Sequence, residues 1–230
     1  MLTLIAGPSV AGVLTTVLVD GWAGLRNLWA RLLRWRVGGE WYAVALLTAP
    51  LVVAATLLTL SFASPVFLPA IVTASDKETL LLSGLMAGLA AGFFEELGWT
   101  GLATPQLRQR YGFFATSLIL GVVWGAWHFP PAMWGSGDSA GATPLILNVI
   151  VAMFAILLPY RVLMVWVYDH TESLLVAMLM HASLDPSIFY VLQPPASGWA
   201  FVIYYLAVGA MLWGVVAAVA IAQRRAAFNR

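Results

Sequence analysis

At 230 residues, with 62% hydrophobic and 9% charged side chains and a mean hydropathy of +0.90, the chain has too little charge to cover a soluble domain, which takes roughly a quarter charged residues. Its 11 Lys+Arg against 10 Asp+Glu, net +1, form no basic face, so a nucleic-acid binder is excluded together with a soluble enzyme and a disordered protein. The absence of cysteine excludes disulfides, Cys-ligated zinc and a Cys nucleophile.

A spanning helix takes ~20 mostly apolar residues. Such stretches lie at about 2–19, 41–63, 80–103, 113–134, 144–168, 173–192 and 199–222. They predict an all-α, polytopic transmembrane bundle of seven helices, one domain over 1–230, in contact with lipid. Ser64-Pro65, the run Gly135–Ser139 and Gln193-Pro194-Pro195 break the stretches with turn residues. No basic segment precedes the first stretch, so no cleavable signal peptide is expected.

Basic residues set the orientation. Arg26, Arg31, Arg34, Arg36, Arg108, Arg110, Arg224, Arg225 and Arg230 fall on one side if the helices alternate, and Lys77 on the other. The C-terminus is therefore expected in the cytoplasm of a multi-pass cell-membrane protein. The preference for Arg over Lys points to a GC-rich bacterial genome. Segment 22–37 mixes Trp22, Leu25, Trp29, Leu32 and Trp35 with four Arg, which fits an interfacial amphipathic helix or a basic connecting loop. Asp20 is expected to end the first span. Asp138 and the group Asp76-Lys77-Glu78 are expected on the outer surface. His170, with Asp169 and Glu172, is expected in a solvated loop.

Ionisable residues inside spans are costly and face the bundle interior or a wet cavity. The third span carries Glu95 and Glu96, the fourth His128, the fifth Arg161, and the sixth His181 and Asp185. Gly84, Gly88 and Gly92 form a small-residue stripe that lets another helix approach. Glu95 and Glu96 continue it at i+3 and i+4. Adjacent helical residues point about 100° apart, so the two carboxylates take different roles. Gly121, Trp124, Gly125 and His128 share a face of the fourth span. His181 and Asp185, at i and i+4, point one way. Pro186 then frees a backbone carbonyl.

A carboxylate beside an imidazole suits activation of a water, the carboxylate taking the proton. His128, His181 and Asp185 also suit a divalent metal such as zinc with an open position. The residues leave both routes open. A serine nucleophile lacks support, because no GxSxG elbow is present. At 1.5 Å per residue, Glu95 and His181 come out about 12 Å from their expected span ends and His128 about 22 Å, so the fourth helix should begin outside the bilayer, tilt, or break at Pro130-Pro131.

These residues resemble the type II CAAX-prenyl-endopeptidase family, also called the abortive-infection or CPBP family. Its marks are EExxxR, FxxxH and HxxxN. Here they read Glu95-Glu96-Leu97-Gly98-Trp99-Thr100, Trp124-Gly125-Ala126-Trp127-His128 and His181-Ala182-Ser183-Leu184-Asp185. The resemblance implies an intramembrane endopeptidase acting on a protein or peptide. It implies that Glu95 and His128 activate the attacking water, and that His181 and Asp185 hold the oxyanion or position the water. Thr100 stands in place of Arg, so Arg161, ahead of Arg108, is expected to pair with Glu96. Trp124 stands in place of Phe and Asp185 in place of Asn. The family commonly has a further helix before the stretch matching the first span, which this chain is expected to lack.

Two other functions fit the same charges. One is a proton- or ion-coupled transporter, which should carry a polar path to both faces. The other is an inert immunity or scaffold protein. Trp99, Trp124 and Trp127 are candidate cavity-lining residues.

Overall fold

In lipid every backbone polar group must pair within its own segment, so apolar spans become helices. In the computed structural model, which describes residues 2–130 and 145–228, every regular element is helical. Helix α1 is Leu2–Leu32, α2 is Gly39–Ser61 and the short α3 is Ala70–Thr73. Helix α4, Lys77–Gly98, passes through a wide π turn, Trp99–Ala103, into α5, Thr104–Arg108. Helix α6 is Phe113–Trp127. Helix α7, Leu145–Val151, passes through a second π turn, Ala152–Leu157, into α8, Leu158–Thr171. Helix α9, Leu174–Asp185, continues as a third, Pro186–Tyr190, and α10 is Gly198–Phe228.

Five rods are long and apolar enough to cross a membrane: Ala6–Leu32, Gly39–Ser61, Lys77–Arg108, Val149–Thr171 and Gly198–Arg225. The shorter apolar pair Phe113–Trp127 and Leu174–Tyr190 completes the expected bundle. Leu14, Leu18, Leu58, Phe62, Met86 and Leu206 are exposed on its outside, which a bilayer tolerates and water does not. The chain is a multi-pass membrane protein.

One expected boundary is met and one is corrected. The helical path of α1 breaks at Gly21 (φ 59, ψ −146), a conformation that needs glycine, directly after Asp20. A second helical segment runs from there to Leu32, and Leu28 packs against Leu174 and Met178. Residues 22–32 are thus a helix docked on the bundle. The third span does not stop at 103, because the π turn widens the helix without ending it. The break at Gly135–Ser139 with Asp138, the part of the fourth span after Pro130, and Met1 and Arg230 lie outside the described residues.

Helix α4 is gripped on two sides. Its Gly84, Gly88 and Gly92 stripe meets α9 and the turn after it. A Cβ on Gly88 would lie 2.4 Å from the Ala182 carbonyl oxygen, and one on Gly92 2.5 Å from that of Met178. Ala182 is four residues before Pro186, so its carbonyl is the one the proline leaves without a helical donor. Close approach is possible because Gly88 offers no side chain there. Towards α1, a Cβ on Gly12 would lie 2.7 Å from Gly98 Cα. The main core gathers Val53, Leu57, Tyr160, Leu163, Met180 and Tyr204 between α2, α8, α9 and α10.

Gly88→Ala separates two opposed effects. The change gains about 1 kcal/mol of helix propensity. Overpacking a tight contact costs about 1–3 kcal/mol, and the obstacle here is backbone. The variant should therefore unfold several degrees below wild type in detergent. A higher Tm would show that α4 and α9 do not meet at Gly88.

The basic residues collect at one end. Arg31 donates to the Tyr168 hydroxyl (2.7 Å) and the Gly101 carbonyl (2.6 Å). Arg34 pairs with Glu172 at 2.7 Å and Arg108 with Asp169 at 3.0 Å. Gln223, just before Arg224, lies beside Phe113 and Trp166 at the same end. The expected loop around His170 is instead the last turn of α8, closed by Glu172 with φ 47, and His170 stacks at 4.9 Å on Trp41. Asp76 caps α4 by accepting the Thr79 N–H at 3.0 Å, a bond that holds its carboxyl below the usual range.

Candidate active site

The neighbouring carboxylates of α4 have separate surroundings. Glu96 is fully buried. Arg161 of α8 forks it, donating to Oε2 at 2.8 Å and Oε1 at 2.9 Å. His181 Nδ1 of α9 lies 2.7 Å from Oε1, and the Thr100 hydroxyl donates to Oε2. A bidentate guanidinium pair is the strong form of such contacts. Every Glu96 oxygen is therefore engaged, and Glu96 joins three helices at one buried point.

Glu95 faces a different set. Its Oε2 accepts the Trp124 indole N–H at 2.9 Å. Its Oε1 lies 3.9 Å from His128 Nε2, too far for a direct hydrogen bond. His128 Nδ1 is 2.8 Å from the Trp124 carbonyl, so that nitrogen carries the proton and Nε2 is the free acceptor of a neutral ring. His128 caps the end of α6. His181, held at Nδ1 by Glu96, presents Nε2 to Asp185 Oδ1 at 3.8 Å.

Trp124 lies at the centre of the group. Its ring is 5.5 Å from the His128 ring and 5.2 Å from the His181 ring, and Arg161 Cζ lies 4.0 Å over it. The structure thus brings together Glu95, Glu96, His128, His181, Asp185, Arg161 and Trp124 from four helices. Arg161, not Arg108, meets Glu96, as expected. In the sequence Thr100 registers only as a lost arginine. Its place one turn after Glu96 is the signal that its hydroxyl can reach back.

The depth mismatch between Glu95 and His128 closes, while His181 stays about 12 Å from the start of its helix. The rod carrying Glu95 continues to Arg108, so Glu95 lies about 20 Å from that end, close to the ~22 Å of His128 from Phe113. Ser183 is engaged with backbone, donating to the carbonyls of Ala45 (2.8 Å) and Met180 (2.9 Å). It ties α9 to α2.

For a metal, the expected donors are His128, His181 and Asp185. Among the described residues, no three His, Asp or Glu side chains are disposed to hold one ion. His181 has one nitrogen committed to Glu96, and the Asp185 carboxylate stands apart from the other.

Two cavities lie nearby. A polar cleft of about 1030 Å³ opens at the basic end between α1 and α5, lined by Asp20, Asn27, Arg31, Gln106 and Asp169 among others. An apolar groove of about 260 Å³ follows, sharing Leu102 and reaching Trp99 and Trp127. Trp127 adjoins His128. The chemistry sits beyond the large cleft, where Glu95 and His181 are almost wholly buried. Trp99 and Trp127 are thus cavity-lining residues, while Trp124 is buried behind them.

Residues 77–187 match the family described as type II CAAX prenyl endopeptidase Rce1-like. The chain is 30% identical over 94 residues to CAAX prenyl protease 2 of Methanococcus maripaludis. That alignment covers 40% of this chain and 35% of the relative, so the match spans about a third of the relative's length.

Proposed function

We propose that this chain, whose residues 77–187 match the Rce1-like family of type II CAAX prenyl endopeptidases, is a member of that family and an intramembrane endopeptidase. Its substrate would be a peptide bond of a membrane-associated protein or peptide. The observation that carries the reading is the division between the two glutamates. Glu96 is spent on Arg161, His181 and Thr100, whereas Glu95 keeps one oxygen turned to His128.

One water oxygen within hydrogen-bond reach of both Glu95 Oε1 and His128 Nε2 would span their 3.9 Å separation. Glu95 takes its proton. The hydroxide adds to the scissile carbonyl, and the C–N bond breaks as the proton passes to the leaving amine. His128, on its Nδ1–H···O=C tether, orients the water. His181 carries positive charge towards the oxyanion when protonated, because the Glu96 carboxylate at Nδ1 supports the imidazolium.

Among the described residues, the buried ionisable side chains Glu95, Glu96, Arg161 and His181 belong to this one cluster. That supports a dead-end site over a proton path between two faces. The direct test is incubation of the purified protein with membrane-anchored peptides, with mass spectrometry of new termini. No cleavage above a Glu95→Gln control would end the protease reading.

Asp185 tests the oxyanion. An ionised carboxylate beside a developing negative charge repels it, so Asp185 would serve there as the neutral acid, whose O–H donates as an amide N–H does. Asp185→Asn should keep or raise the cleavage rate, and Asp185→Ala should lower it roughly tenfold, the loss of about one hydrogen bond. Loss of activity in the Asn variant, together with loss of stoichiometric zinc, would favour a metal route.

The gathering of arginines at one end supports a cytoplasmic C-terminus. Reporter fusions after Arg230 and within 136–140 should read opposite sides of the membrane. A shared side would contradict the alternation of the helices.

A further inference from the structure

The Trp124 indole meets both glutamate systems. Its N–H donates to Glu95 Oε2 at 2.9 Å, and its ring face carries Arg161 Cζ at 4.0 Å. Trp124 is 1% exposed. Small residues place it. Gly121 and Gly125 flank Trp124, and a Cβ on each would meet Leu158 and Met153 respectively, at 2.3 Å and 3.2 Å. They let α6 close on the rod formed by α7 and α8, and the ring then enters the space between Arg161 and Glu95.

Two consequences follow from this position. The indole donor fixes one carboxylate oxygen, so Glu95 cannot rotate freely and Oε1 is the oxygen left for His128. The ring also occupies the space over the guanidinium, so Arg161 binds Glu96 and is screened from Glu95. An arginine on Glu95 would hold the carboxylate in a charge pair and weaken it as a proton acceptor.

We infer that Trp124 is a positioning residue for the base: its indole N–H orients Glu95 while its ring keeps Arg161 on Glu96. The inference rests on the endopeptidase reading for its kinetic part, and on geometry alone for its structural part. A phenylalanine here would keep an aromatic face over Arg161 but offer no donor.

The test uses the full chain in detergent or nanodiscs. Trp124→Phe should lower kcat roughly tenfold to a hundredfold, as loss of a hydrogen bond to a charged group does. KM should hold, since the ring is buried away from any bound peptide, at 1% exposure. A KM effect with kcat unchanged would overturn the inference. So would a rate equal to wild type.

A second measurement needs no activity. In ¹⁵N–¹H spectra of the tryptophan indoles, the Trp124 signal is assigned by its disappearance in Trp124→Phe. It should shift on Glu95→Ala and stay in place on Asp185→Asn. No shift on Glu95→Ala would show that the hydrogen bond does not exist. If wild type cleaves no peptide yet the indole signal responds to Glu95→Ala, the protease reading fails and the positioning geometry stands. If wild type is active but its indole signal ignores Glu95→Ala, the protease reading stands and the positioning role is lost.

Discussion

Glu95→Gln should stop peptide hydrolysis and leave the bundle folded. The amide keeps the shape of the side chain and still accepts the Trp124 indole N–H through its oxygen. It cannot take a proton from water. General-base catalysis contributes about 10²–10⁴-fold, so kcat should fall by that factor, with thermal unfolding in detergent near the wild-type value. Single-turnover cleavage of a peptide that wild type processes is the measurement. A Glu95→Gln variant with near-wild-type turnover would remove Glu95 from the role of base, and His128 would be the next candidate.

Arg161→Met should be the most damaging change to stability. Arg161 and Glu96 are both fully buried, with the guanidinium forked on the carboxylate. Removing one partner strands the other charge and costs about 3–5 kcal/mol. Methionine fills much of the arginine's volume, so the effect reports the charge more than a cavity. The expected result is a large drop in Tm, or failure to recover folded protein from the membrane. Adding Glu96→Leu should restore much of that stability, because apolar replacement of a buried ion pair is often neutral or better. The double variant should remain inactive, because His181 then lacks the acceptor on Nδ1. A stable Arg161→Met single variant would show that Glu96 is supported by Thr100 and His181 alone. By the same reasoning Glu96→Gln should cost more stability than Glu95→Gln, although Glu95 matters more for the rate.

The parts of this molecule legible in the sequence are those that chemistry forces. Apolar runs have to become helices, and the glycine stripe at Gly84, Gly88 and Gly92 has to meet another helix. Arg161 cannot lie in the membrane without a carboxylate, and Glu96 is its natural partner. The features that escape are set by geometry between segments. Asp20-Gly21 marks the break in α1, but no periodicity signals that the helix after it docks on the bundle through Leu28. The indole bond from Trp124 to Glu95 depends on the rotation of α6 against α4, which spacing within one helix cannot supply. Thr100 is visible one turn after Glu96, but a hydroxyl is a weak signal beside an absent arginine.

The wide turn at Trp99–Ala103 has a consequence for chain length. Each π turn holds one residue more than a regular helix needs, so it shifts the angular phase of everything after it by about 100°. The face that α5 presents, with Arg108 on Asp169, depends on that extra residue. Deleting Leu102 would let the backbone wind regularly and would turn Arg108 away from Asp169, while Glu95 and Glu96 upstream kept their bearings. Length in this segment is thus as constrained as residue type. A substitution here changes one side chain, whereas a deletion re-aims the whole end of the rod.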